Sequence, residues 1–200
     1  MLTTEKTNKF SKWTIAALTA VLAAGTMVSA VQVKAASQSP AAVQSKAETG
    51  SAYIKKIYGL AKQGKVPGAP WISGKSTLTS IHKFWGKPTT GSGTGAHYEN
   101  YNFGMGAGAY AIGVNSKGTL YDLRDLGQSI DTSVGIKSLT FTSVIATLGM
   151  PKEVRFTGND KIYVYTAGAY QLKFVGPSSV VKGHVAHIDH INVYSPQAAK

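Results

Sequence analysis

Apolar residues recur at helical spacing in three stretches of the chain. In the first, SAYIKKIYGLAKQGK (51–65), apolar residues recur at steps of three and four residues while lysines and a glutamine fill the other face. The apolar residues are Tyr53, Ile54, Ile57, Tyr58, Leu60 and Ala61. This pattern is typical of an amphipathic helix. Gly64 ends the pattern and a proline follows three residues later, so we predict that the helix stops there.

The other two helical stretches are similar to each other. TLTSIHKFWGKP (77–88) reappears as TFTSVIATLGMP (140–151). Each copy begins with two threonines, either of which can cap the first exposed amides. Each ends in Gly-x-Pro, which favours a left-handed residue after the helix and prevents its continuation. The candidate caps are Thr77 or Thr79 in the first copy and Thr140 or Thr142 in the second.

The helices of the two copies each carry apolar residues on one side. In the first copy Ile81, Phe84 and Trp85 lie at i, i+3 and i+4, so we expect one apolar stripe that packs on the core. The second copy replaces His82 with isoleucine. We therefore interpret His82 as a residue on the helix flank and not as part of a chemical site.

Strand-like segments follow each helix. A tyrosine-rich segment precedes AGAYAIGV (107–114) in the first half and AGAYQLKF (167–174) in the second, and alternating runs follow at 119–126 and 184–194. Alternation places successive side chains on opposite faces of a sheet, so one face packs on the helices. The sequence thus predicts two tandem units, each a helix followed by an antiparallel meander.

We therefore predict an α+β fold in which an N-terminal helix precedes the two units. The first unit spans residues 72–130 and the second spans residues 136–195. Short helices alternating with runs of antiparallel strands are typical of this fold class.

The first 35 residues have the pattern of a secretory signal peptide. Early lysines precede the apolar run TIAALTAVLAAGTMVSA (14–30), and cleavage after Ala30 or Ala35 fits the small residues there, with Ala35 preferred. The run is too short and too rich in Ala and Thr for a membrane span, so we expect none in the mature chain. Residues 36–50 are small and polar, which is typical of a flexible linker.

The charge of the chain limits the partners it can have. The 200 residues include 21 Lys and Arg, 9 Asp and Glu and no cysteine, so there is no disulfide framework and no lipid-modifiable Cys. Without the signal peptide, the net charge is about +9. We expect a secreted Gram-positive protein, extracellular or associated with the wall. Its partner would be an unknown protein or an anionic wall polymer such as teichoic acid, and not nucleic acid.

Several motifs together resemble a known family. The secretion signal, a basic helix ending AKQGKVPG, and helices ending in WGKP and LGMP resemble the YjgB-like family of secreted Gram-positive proteins. The resemblance covers residues 52–194 and implies no assigned biochemical function. The paired unit is also similar to the tandem repeats of the β-lactamase inhibitory protein and of small outer-membrane assembly lipoproteins. That similarity implies a noncatalytic, protein-binding role, and no catalytic residue carries over.

GHVAHIDH (183–190) holds the best candidates for a metal site. Imidazole and carboxylate groups suit zinc or another borderline divalent ion. On a strand, however, His187 and Asp189 share one face and His190 lies on the other, so that only His184 remains to join from the turn. We expect no metal and no cofactor, with His184, His187 and Asp189 as the alternative ligand set.

No residue pattern points to catalysis. Ser92 lies in a Gly-rich loop and not in the turn between a strand and a helix that activates a nucleophilic serine. Asp122 and Asp125 lie on opposite faces of one strand, so they are not an obvious acid and base pair. We expect a protein that is not an enzyme. The alternative is a secreted hydrolase or metal-dependent enzyme that uses the histidines of the last strand.

Binding through the exposed sheet face is the function that these arguments favour. In the second unit we predict that Ile162 and Val164 face the helices. Tyr163 and Tyr165 would then face solvent, where tyrosine rings suit a protein partner or stacking on sugar rings. The sequence therefore predicts a secreted noncatalytic binding module at the cell envelope. The candidate binding residues are Tyr98, Tyr101, Tyr163, Tyr165, Gln171 and Lys173.

Overall fold

Three α-helices and seven strands are formed by residues 50–200, which are the residues that this computed structural model describes. The expected signal peptide and residues 36–49 of the expected linker lie outside them. No helix within 50–200 is long and apolar enough to cross a membrane. The elements are α1 (Gly50–Ala61), α2 (Leu78–Trp85), β1 (His97–Asn102), β2 (Ala109–Val114), β3 (Leu120–Asp125), a 3₁₀ helix (Gly135–Ser138), α3 (Phe141–Leu148), β4 (Glu153–Thr157), β5 (Asp160–Ala167), β6 (Tyr170–Pro177) and β7 (His190–Tyr194).

The seven strands form one antiparallel sheet in the order β1-β2-β3-β7-β6-β5-β4. Two meanders, β1 to β3 and β4 to β7, meet where β3 pairs with β7. In this pairing Leu123 lies opposite Val193, and both side chains are fully buried among helix residues such as Ile54 and Ile81. The chain is therefore an α+β protein whose helices cover one face of a continuous sheet.

Both short helices begin with the same hydrogen bonds. Thr77 Oγ1 accepts a hydrogen bond from the Ser80 backbone N–H, and Thr140 Oγ1 accepts one from the Ser143 N–H. Each serine hydroxyl in turn accepts a bond from the threonine N–H. These reciprocal bonds satisfy amides that have no partner inside the helix, which fixes where each helix starts.

Both short helices also end alike. Gly86 follows α2 and Gly149 follows α3, and each adopts a φ of 80°, a conformation that side chains with a Cβ rarely adopt. The two glycine N–H groups donate to carbonyls of the last helical turn. The Gly-x-Pro sequences therefore stop both helices after two turns.

Phe84 departs from the predicted apolar stripe of α2. Ile81 is fully buried, but the Phe84 side chain is 72% exposed and makes an edge-to-face contact with Trp71. The difference arises because α2 lies over the edge strand β1, where Trp85 contacts Tyr101. The outer side of the helix therefore extends past the sheet.

Two strands differ from the sequence expectation. The sequence expectation does not include β4, because only two apolar residues, Val154 and Phe156, alternate with its polar residues, and the structure leaves both exposed. The last strand begins at His190 and not at His184. Before it, the Ile188 N–H donates to the Leu139 carbonyl and the Asp189 N–H donates to the Val175 carbonyl. The chain thus crosses the start of α3 before it enters the sheet.

We expect Thr77→Ala and Thr140→Ala each to lower the free energy of unfolding by about 1 kcal/mol, because each removes a helix cap. Urea unfolding of the two variants measures the effect. Thr79→Ala and Thr142→Ala are matched controls, since both threonines are exposed and lie inside the first turn. If the control variants lose as much stability as the cap variants, the assigned helix starts are wrong.

Candidate functional site

The sheet face that points away from the helices carries a group of polar and aromatic side chains, which we call the polar cluster. Strand register places them together, because Arg124 on β3 lies opposite Asn192 on β7, and Asn192 lies opposite Lys173 on β6. Residues directly opposite on neighbouring strands point to the same side of a sheet. The polar cluster consists of Tyr98, Tyr121, Asp122, Arg124, Gln171, Lys173, Asn192 and Tyr194.

A bulge in β3 brings Tyr121 into the polar cluster. The register between β2 and β3 shifts after Gly113 and leaves Tyr121 without an opposite residue. The Tyr121 ring makes edge contacts with Tyr98 and Tyr194, at centroid distances of 6.0 and 5.9 Å. Gly113 lies under this row, since a Cβ there would lie 2.8 Å from the Tyr98 ring. The three tyrosines therefore form a row across β1, β3 and β7.

Two cations lie on the outer rings of the tyrosine row. The Arg124 guanidinium is 4.4 Å from the Tyr98 ring centroid, and Lys173 Nζ is 4.1 Å from the Tyr194 centroid. Both distances are typical of cation–π contacts. Burial opposes the charge of Arg124, but Asp122, 2.9 Å away, holds its pKa above the ordinary value.

Lys173 differs from Arg124 because it has no ion-pair partner within the described part of the chain. Burial is the main reason that the pKa of Lys173 lies below its ordinary value. The nearby charge of Asp122 raises this pKa, and the charges of Arg155 and Arg124 lower it. A negative group beside Lys173 would therefore find a cation that no carboxylate of residues 50–200 neutralises directly.

Asp122 and Asn192 lie at the bottom of the polar cluster and are 1% and 5% exposed. Asp122 Oδ2 accepts hydrogen bonds of 3.0 Å from the Tyr98 hydroxyl and from Arg124 Nε. Asp122 Oδ1 and Asn192 Oδ1 are buried and have no hydrogen-bond partner within residues 50–200. A buried acceptor without a donor costs about 1 to 3 kcal/mol, so a bound donor would offset that cost.

Three of the six predicted binding residues lie in the polar cluster, namely Tyr98, Gln171 and Lys173. The other three, Tyr101, Tyr163 and Tyr165, point to the helix side of the sheet. Tyr101 is 2% exposed and Tyr165 is 6% exposed, and the Tyr163 ring packs on Phe141 of α3.

The prediction that Tyr163 and Tyr165 face solvent is therefore wrong. Tyr163 lies opposite Phe174 and Tyr165 lies opposite Leu172, so the tyrosines share the face of the most apolar pair on β6. Val164 instead lies opposite Lys173 and points away from the helices. The alternation of side chains along β5 shows which residues share a face. The pairing of β5 with β6 decides which of the two faces is buried.

A second buried carboxylate, Glu99, connects α2 to the edge strand β1. His82 Nε2 lies 2.8 Å from Glu99 Oε2, His97 Nε2 lies 3.2 Å from Oε1, and the Tyr101 hydroxyl donates a 2.7 Å hydrogen bond. Burial alone would raise the pKa of Glu99, but the bonds from Tyr101, His82 and His97 lower it below its ordinary value. Glu99 is 1% exposed. Its contact with His82 therefore holds α2 against β1 in the protein interior.

The alternative metal ligands do not come together. His184 is exposed in the loop before β7, and His187 Nδ1 lies 2.8 Å from the Lys137 carbonyl oxygen. Asp189 instead pairs with Lys137 Nζ at 2.5 Å and with His190 Nδ1 at 2.9 Å. In the part of the chain from 50 to 200, no three His, Asp or Glu side chains are placed to hold a metal ion.

The helices on one face of a seven-stranded antiparallel sheet place the chain among α+β proteins of mixed helix and meander. Residues 54–194 match a family described as a domain of unknown function, DUF4309, and the chain belongs to this family. The uncharacterized protein YjgB of Bacillus subtilis strain 168 is 26% identical over 158 residues, which cover 76% of this chain and 82% of YjgB. The YjgB-like resemblance is thus confirmed.

Two solved structures match parts of the chain. The crystal structure of YjgB from Bacillus subtilis matches with a TM-score of 0.62 and 23% identity, covering 72% of this chain and 97% of that one. An extracellular protein containing an SCP domain, from Bacillus anthracis strain Ames, matches with a TM-score of 0.42 and 10% identity over 61% of this chain and 44% of that one. The YjgB match shows that the fold is shared.

We expect Glu99→Gln to lower the free energy of unfolding at neutral pH by about 3 kcal/mol, because it breaks a buried pair between a carboxylate and its donors. The folded-state pKa of Glu99 lies below its ordinary value of 4.5. Its stabilisation is therefore fully present above pH 4.5 and is lost as the pH falls through the lowered value. Urea unfolding of both proteins across this range measures the effect.

Glu153→Gln is the matched control for Glu99→Gln, because Glu153 is exposed and pairs with Arg155 on the surface. We expect this control to change stability little, since exposed ion pairs contribute little. The role of Glu99 is contradicted if Glu99→Gln lowers the free energy of unfolding no more than the control does. It is also contradicted if this loss of stability grows as the pH falls.

Proposed function

We propose that the chain is a secreted, noncatalytic binding module that acts at the cell envelope and binds its partner through the polar cluster. The observation that carries this proposal is the row of Tyr98, Tyr121 and Tyr194 on the sheet face opposite the helices. Arg124 and Lys173 lie on the outer rings of that row. Tyrosine and arginine are the residues most enriched at the energetic centres of binding surfaces.

The geometry of the polar cluster supports binding because its row of tyrosines is held in place before a partner arrives. The Tyr98 hydroxyl is fixed by Asp122, and the Tyr121 ring is held between two other rings. Little side-chain freedom is then lost on association, which favours affinity. The polar cluster spans β1, β3, β7 and β6, so a partner would contact strands from both meanders.

We also propose that residues 72–130 and 136–195 are tandem copies of one unit, as in the β-lactamase inhibitory protein. The identical caps of α2 and α3 support this proposal. So do two isolated bridges, since Thr77 pairs with Thr119 and Thr140 pairs with His187. In each unit, the residue that caps the helix therefore pairs with a residue that comes shortly before the last strand. The polar cluster would then lie at the junction of the two copies.

Sedimentation with isolated Gram-positive cell walls that retain their proteins and polymers tests the proposed function. We expect the purified chain to sediment with the walls and the double variant Tyr121→Ala/Tyr194→Ala to stay in solution. The tyrosine row contributes apolar contact, and each lost aromatic anchor is expected to cost about 2 kcal/mol of binding.

The double variant Phe84→Ala/Phe156→Ala is the matched control, because both rings are exposed, at 72% and 65%, and lie outside the polar cluster. We expect it to sediment like the unchanged chain. Failure of the unchanged chain to sediment, or equal loss in the two double variants, contradicts binding through the polar cluster.

A further inference from the structure

We propose that the ligand of the polar cluster is a polyol phosphate, the repeating unit of a teichoic-acid-type wall polymer. This inference rests on the proposed function and names the chemistry of its partner. A polyol phosphate carries one negative phosphodiester and at least one free hydroxyl in each repeat. The polar cluster offers a counterpart to each of these two groups.

The negative charge is matched by the surface as a whole. Residues 50–200 contain sixteen Lys and Arg and seven Asp and Glu. Three of the seven acids, Glu99, Asp122 and Asp125, are buried, whereas none of the Lys and Arg in this range is. The surface is therefore more basic than the sequence composition suggests, which favours a polyanionic partner.

Within the polar cluster the phosphate position is set by Lys173. Asp122 pairs with Arg124 at 2.9 Å, and Glu153 holds Arg155 through two bonds of 2.6 Å. Lys173 lies between these two pairs in the strand order and has no such partner in the described range. A phosphate beside the Lys173 ammonium would supply the missing opposite charge and offset the cost of burying that ammonium group.

The hydroxyl groups are matched by two oxygens. Asp122 Oδ1 and Asn192 Oδ1 lie on the same face as Lys173 and have no donor within residues 50–200. Both are acceptors, so they recognise a group that donates a hydrogen bond, which a phosphodiester lacks and a polyol hydroxyl has. They are covered from solvent, and the side chains opposite Asn192 in the strand register are those of Arg124 and Lys173. One of these long side chains must move outward to admit the hydroxyl.

These two requirements distinguish a polyol phosphate from a plain polyanion. A polyphosphate would use Lys173 but leave both oxygens without a donor, so it would lack the affinity that those hydrogen bonds add. Tyrosine bodies next to the cation suit the carbon–hydrogen faces of a polyol or sugar. The combination of cation, rings and acceptors therefore favours a hydroxylated phosphate over charge alone.

Calorimetric titration of the purified chain with a glycerol phosphate oligomer and with polyphosphate of equal charge tests the proposal. We expect about tenfold tighter binding of the glycerol phosphate oligomer, from the hydrogen bonds that polyphosphate cannot donate. Lys173→Gln should weaken binding of both polymers about tenfold, since it removes a charge-assisted contact. Asn192→Leu should weaken only the glycerol phosphate oligomer.

Lys117→Gln is the matched control, because it removes the same charge from an exposed turn. Urea unfolding confirms that each variant is folded. Equal affinity for the two polymers, or equal loss in Lys173→Gln and Lys117→Gln, overturns the proposal, since binding is then due to net charge.

Sedimentation with walls that were treated to remove their phosphate polymers distinguishes a failure of this proposal from a failure of the proposed function. We expect the chain to sediment with untreated walls and not with treated walls. Sedimentation with treated walls that still requires Tyr121 and Tyr194 overturns the polyol phosphate and assigns a protein or glycan partner. In that case the binding module itself stands.

Discussion

The core and the polar cluster both depend on the pairing of β3 with β7. It joins the two meanders into one sheet. On the helix side it places Leu123 opposite Val193 at the centre of the core. On the other side the same pairing places Arg124 opposite Asn192 and Asp122 opposite Tyr194. One set of backbone hydrogen bonds thus builds both the core and the polar cluster.

The burial of acidic residues gives this protein its surface character. Asp122 and Glu99 are each held by several donors, which offset the cost of removing a carboxylate from water. Asp125 is also buried, and its pKa is raised by burial to about 6. Because no Lys or Arg of residues 50–200 is fully buried, the surface that these residues form is strongly basic. A partner with negative charge fits this surface better than the sequence composition alone indicates.

Local features of the fold could be predicted from the sequence. Helix caps and stops depend on residues a few positions apart, so Thr77, Thr140 and the two Gly-x-Pro sequences identify α2 and α3. The β-strands were placed less well, because the burial of a strand face depends on its neighbour. Tyr163 and Tyr165 are on the helix side because of Leu172 and Phe174, and nothing within β5 itself reveals this.

The residues of the candidate site were harder to predict, because they come together through contacts between segments that are distant in the sequence. Tyr98, Gln171 and Lys173 follow from alternation, but Asp122 and Asn192 come from strands that are far apart in sequence and adjacent only through the β3–β7 pairing. Tyr121 enters through a bulge that a regular alternation does not reveal. His82 was interpreted as a flank residue because the second copy has isoleucine at its position, and its partner, Glu99, could not be identified because it lies on a different element. A buried charge among exposed neighbours leaves no periodic signal in the sequence.

Nuclear magnetic resonance of the tyrosine rings shows which face of the sheet binds a partner, since the chain contains ten tyrosines and both faces carry some of them. Soluble wall fragments would be added to protein with labelled tyrosines. We expect the ring signals of Tyr98, Tyr121 and Tyr194 to shift while those of Tyr101, Tyr163 and Tyr165 stay unchanged. Shifts confined to the second group, or spread equally over both, would contradict a functional surface on the face opposite the helices.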